Sequence, residues 1–148
     1  MNTIWVLVAN RAEAQIYSAK RLPGKLILVD SLVDAEGAVR AGELTSDAPG
    51  RVHDRIGAAR HAMEPDTGVK DEGRRRFVKK MVGRLKAAHF KGDFDQLVLL
   101  AAPAVLGVIR KTLTKELAGI VVKVISKDVI GQGMDKIQLQ VDRSFQLK

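Results

Sequence analysis

Two short apolar runs limit the architectures open to this chain more than any other feature. The first is Thr3-Ile4-Trp5-Val6-Leu7-Val8-Ala9, rich in β-branched residues, and the second is Gln96-Leu97-Val98-Leu99-Leu100-Ala101-Ala102. A strand with one wet face alternates apolar and polar residues, because successive side chains point to opposite sides of the sheet. A run without that alternation reads as a strand buried on both faces, and the second has the character of a parallel-sheet strand.

The intervening and following segments fit around these two. After a turn at Asn10–Glu13, Ala14-Gln15-Ile16-Tyr17-Ser18-Ala19 alternates as a second strand. Pro23-Gly24 signals a turn, and Lys25 to Val33 reads as a third strand, so the chain opens as an antiparallel meander. Beyond the second apolar run, Pro103 suits the first turn of a helix from Ala104 to about Leu117, which Gly119 ends. Ile120 to Ile125 is a further strand, and Asp135 to about Arg143 a last helix. Alternating strands and helices here imply right-handed crossovers within a mixed sheet. The expected fold is α/β, a mixed sheet of five to six strands with packed helices. With 148 residues, no internal repeat and no linker, one domain over 1–148 is expected.

Charge is concentrated in one region. Between Gly50 and Lys91 stand twelve Lys and Arg against five acids, a net +7 of the chain's +8. From Asp34 to Asp71 no strand or helix period persists, apart from a brief strand suggested around Ala38–Gly42, and seven Gly and Pro residues mark a long loop. A helix follows from Asp71. Phe77, Val78, Met81, Val82, Leu85 and Ala88 fall on one stripe, with Arg75, Arg76, Lys79, Lys80, Arg84 and Lys86 on the opposite arc. A field of one sign over one surface attracts polyanions.

Other chemistries find little support. The chain has no cysteine, which excludes disulfides, thiol catalysis and cysteine-bound metals. His53, His61 and His89 lack ligand-like spacing, and no metal or cofactor is expected. The serines show no nucleophile-elbow pattern, which leaves His53 and His61 as the candidate general bases. Gly131-Gln132-Gly133 lacks the third glycine and the strand–helix context of a phosphate loop and reads as a turn. The first residues form neither a signal peptide nor a membrane span, so a cytoplasmic protein is expected. Six aromatic residues are few for a base-stacking platform, which favours contact with phosphate backbones.

Several segments together resemble the bacterial host attachment proteins. They are Trp5-Val6-Leu7-Val8-Ala9-Asn10-Arg11-Ala12-Glu13-Ala14; Glu64-Pro65-Asp66 with Glu72 and Arg76-Phe77; Phe94 to Pro103 with Leu106-Gly107-Val108-Ile109-Arg110; and Ser126-Lys127-Asp128. That family is similar to the middle domain of archaeal and eukaryotic peptide-chain release factors and of related ribosome-rescue proteins. The resemblance implies a ribonuclease-H-like topology and a loop that in release factors carries Gly-Gly-Gln and promotes hydrolysis of peptidyl-tRNA. The corresponding loop here, Val52 to Met63, contains no glutamine, while its basic residues and the basic helix are retained.

The expected function is therefore a domain that binds RNA or the ribosome, with tRNA or rRNA as partner. Arg51, Arg55, Arg60, Arg74, Arg75, Arg76, Lys79, Lys80 and Lys86 would contact phosphates. Two alternatives stand beside it. One is a hydrolase of peptidyl-tRNA or another phosphate ester with His53 or His61 as base. The other is an adaptor whose basic face meets an acidic partner or an anionic membrane, linked to host-cell attachment. The oligomeric state is left open.

Overall fold

A computed structural model describes residues 3–34 and 63–146, and in the second stretch the side chains from 72 to 145. The elements in chain order are β1 (Ile4–Ala9), β2 (Glu13–Ala19), β3 (Ile27–Val33), α1 (Met63–Lys91) and β4 (Gln96–Ala101). Then follow α2 (Pro103–Thr112), α3 (Lys115–Gly119), β5 (Val121–Ser126), a 3-10 turn at Ile130–Gln132 and α4 (Met134–Gln146). The strands form a five-stranded sheet in the order β3-β2-β1-β4-β5. β1, β2 and β3 are an antiparallel meander, while β1, β4 and β5 run parallel, so the sheet is mixed as expected.

The two apolar runs are neighbours at the centre. β1 and β4 pair from Ile4 opposite Gln96 to Ala9 opposite Ala101 without a slip. Asp95 extends the seam, its N–H donating to the Thr3 carbonyl at 2.8 Å and its carboxylate accepting from the Thr3 N–H at 3.0 Å. Every residue of β1 is buried, for alternate side chains enter two cores. Trp5, Leu7, Ala9, Leu97, Leu99 and Ala101 face one core, where α1 and α2 supply Phe77, Met81, Leu85, Val105 and Ile109. Ile4, Val6, Val8, Val98 and Leu100 face the other, where Ile137 and Val141 of α4 close over Tyr17, Leu26 and Ile130.

On that second face α4 also grips the turn between β2 and β3. The Gln138 side chain donates to the Gly24 carbonyl at 2.7 Å and accepts from the Leu26 N–H at 3.1 Å. Asp142 accepts from the Gly24 N–H at 3.1 Å. Gly24 has no alternative here, because a Cβ at this position would run into the Arg21 carbonyl oxygen. Leu26 therefore leaves the expected strand to enter the core, and β3 begins at Ile27 rather than Lys25.

Three of the expected helices differ as well. The basic helix starts at Met63, not Asp71, and so takes in part of the segment read as loop. Pro65 is compatible with that start, since the first N–H groups of a helix have no intrahelical acceptor to lose. The helix expected from Ala104 to Leu117 is two, because Leu113 is extended (ψ 142°). Thr114 then caps α3, its side chain accepting from the Leu117 N–H at 3.2 Å. The last helix spans Met134–Gln146, longer at both ends than read, with Gly133 at φ 95° before it. The brief strand suggested at Ala38–Gly42 lies outside the described residues.

Leu85, fully buried between α1 and the sheet, is expected to cost about 2–5 kcal/mol on Leu85→Ala. Leu139→Ala, on the exposed side of α4, should change stability by no more than about 0.5 kcal/mol. Urea denaturation of both variants checks the pair.

Candidate functional site

The basic helix obtains its orientation from its apolar stripe. Phe77, Val78, Met81, Val82, Leu85 and Ala88 are all buried, as their spacing predicts. At about 100° per residue, that stripe turns Arg75, Arg76, Lys79, Lys80 and Lys86 outward, and all five are exposed. Arg74 is half-buried, on the flank of the arc. Of the other residues expected to contact phosphates, Arg51, Arg55 and Arg60 lie outside the described residues, as do the candidate bases His53 and His61.

Arg84 does not join the arc. It is turned toward the sheet, where its Nε donates to the Asp30 carboxylate on β3 at 2.7 Å. Its guanidinium carbon stands 5.4 Å from the centre of the Trp5 ring. Trp5 in turn stacks on Phe94, ring centres 4.6 Å apart and planes 18° from parallel, and His89 tilts against Phe94 at 5.4 Å. This file of side chains ties α1 to an edge strand, a central strand and the α1–β4 turn. Helical spacing alone assigns Arg84 to the cationic side; its partner Asp30 is far away in sequence and gives no local signal.

The Arg84 guanidinium, helped by the Ser31 N–H, holds the Asp30 carboxyl below its usual range. On β5, Lys123 lies 5.3 Å from the centre of the Phe145 ring, so this cation is also committed within the fold.

At its C-terminal end α1 forms a groove of about 560 Å³ with α3, lined by Gly83, Lys86, Ala87, His89, Phe90 and Glu116. Phe90 is 93% exposed, although it is among the few aromatic residues of the chain. Composition counts it only as one of six aromatic residues, too few for a base-stacking platform. A signal was present: Phe90 follows Lys86 by four residues and Lys79 by eleven, which places it in the cationic arc and away from the stripe.

Among the described residues, no three His, Asp or Glu side chains converge as metal ligands. Nor is any helix among them long and apolar enough to cross a membrane.

Comparison with known proteins adds an independent finding. A family model described as "Protein required for attachment to host cells" matches residues 5–141. An uncharacterized protein of Rickettsia prowazekii (strain Madrid E), RP470, is 29% identical over 81 residues. That alignment spans 53% of this chain and 54% of the relative, about half of each. Among solved structures, the archaeal translation termination factor aRF1 is similar with a TM-score of 0.47 at 12% identity, over 97% of this chain and 37% of that one. The Ppx/GppA phosphatase of Aquifex aeolicus gives a TM-score of 0.31 at 15% identity, over 85% of this chain and 36% of its own.

The Asp30–Arg84 pair has a pH signature. A carboxyl held low by folding contributes stability that is present above its unfolded pKa of about 3.9 and is lost as pH falls through the folded value. Asp30→Asn should lower stability by roughly 0.5–1 kcal/mol at neutral pH. The gap to the parent protein should close as pH falls below about 4 and shrink in high salt. Chemical denaturation across pH measures it.

Proposed function

Because the chain belongs to the family of proteins described as required for attachment to host cells, we propose that it serves that end indirectly, as an RNA-binding domain. Its partner would be ribosomal or transfer RNA, met in the cytoplasm. The observation that carries this reading is the row of exposed cations on α1, Arg75, Arg76, Lys79, Lys80 and Lys86. They stand on a helix whose other side is locked into the core.

A helix anchored in this way presents charges at steps of about one turn, roughly 5 Å, along a fixed axis. Cations carried on a fixed helix neutralise a phosphate backbone, and each contact releases condensed counterions. Arg74 at the flank, with Arg51, Arg55 and Arg60 from the preceding segment, would extend the same field. We take residues 1–148 as one domain. We read the order β3-β2-β1-β4-β5, with β2 antiparallel to both its neighbours, as the ribonuclease-H-like arrangement implied by the release-factor resemblance.

The test is fluorescence anisotropy with a labelled RNA stem-loop. With about five phosphates contacted, affinity should fall on the order of a hundredfold or more between about 50 and about 200 mM salt. The triple variant Arg75→Glu/Lys79→Glu/Lys86→Glu should lose binding while keeping its denaturation midpoint. Absence of binding at the lower salt, or a flat salt response, overturns the reading. Equal displacement of the RNA by polyglutamate would move it to an acidic protein partner.

A further inference from the structure

Phe90 stands where an aromatic side chain has no packing role. It is 93% exposed, more than any other large hydrophobic residue among those described. The groove it borders carries charge beside it, for Lys86, one turn back, and Glu116 line it together with His89, Gly83 and Ala87. A protein-docking surface would instead gather apolar residues into a contiguous area.

We propose that the groove takes one unpaired nucleobase of a single-stranded RNA, stacked on Phe90. This rests on RNA binding along α1, as proposed above, and adds which form of RNA the site prefers. The groove of about 560 Å³ falls within the ~300–1,000 Å³ typical of small-ligand sites. A Cβ at Gly83 would meet nothing within 4 Å, so this part of the helix surface leaves room for a flat ring. Lys86, four residues before Phe90, would hold the phosphate on the helix side of that base. The Glu116 carboxylate repels phosphate but accepts from an exocyclic amino group, so the base occupies the groove and the backbone remains on the arc. A paired helix has its bases already stacked and covered, whereas single strands offer them to aromatic faces.

Single-stranded and duplex RNA of the same length, titrated against the full chain and variants at position 90, test the proposal. Phe90→Ala should weaken single-strand binding roughly five- to a hundredfold, leaving duplex affinity, salt slope and denaturation midpoint unchanged. Phe90→Trp should restore or exceed the parent affinity. Phe90→Leu, apolar but without a π face, should not. Equal single-strand affinity for the parent and Phe90→Ala overturns the stacking site, as does full rescue by Leu. If the charge-reversal variant still loses binding in those cases, RNA binding by α1 stands without the base site. Failure of the parent protein to bind either RNA overturns both.

Discussion

The parallel pairing of β1 with β4 is the constraint on which the rest of this structure depends. Both strands are apolar on both faces, so the pair is stable only if each face is covered. α1 and α2 cover one and α4 the other. The placement of charge is a corollary. Once α1 spends Phe77, Met81, Leu85 and their neighbours on the sheet, Arg75, Arg76, Lys79, Lys80 and Lys86 are left facing outward. The basic surface is thus the reverse side of a packing requirement.

Arg84 shows how a side chain of the same type takes the opposite role. It covers the ring of Trp5 and reaches Asp30 on the edge strand. Its aliphatic stem and planar head can lie along apolar surface while the charge keeps a partner. The pair is half-exposed and contributes modest energy. It also links α1 to the edge strand β3 across the Trp5 ring, beside the apolar stripe that orients the helix.

Much of this was legible from residue order. The unbroken apolar runs located the two central strands, the heptad-like stripe of α1 separated core from surface, and Pro103 marked the start of α2. What escaped had causes outside the local pattern. The break at Leu113 and Thr114 lies within residues compatible with continued helix, and becomes visible through the Thr114 cap. Leu26 looks like strand until Gln138, from the far end of the chain, claims the backbone around it. At the candidate site, helical spacing turns Arg75, Arg76, Lys79, Lys80 and Lys86 outward, as the structure has them, but it also puts Arg84 on that arc, because its partner Asp30 comes from another element. Phe90 was discounted with the other aromatics because a count of residues says nothing about where one of them stands.

The strand order also has a consequence for how the chain acquires its shape during synthesis. β1, β2 and β3 leave the ribosome first and can pair locally as a meander, but the partner that completes β1 lies ninety-two positions further on at the Thr3–Asp95 contact. Until β4 arrives, β1 presents an unpaired apolar edge, and neither α2 nor α4, which complete the two helical layers, has been made. Closing so distant a contact carries a loop entropy that local pairing does not, and sheets of this kind fold slowly as a result. The nascent meander is therefore the stage at which this protein is most exposed to aggregation and has most to gain from a chaperone.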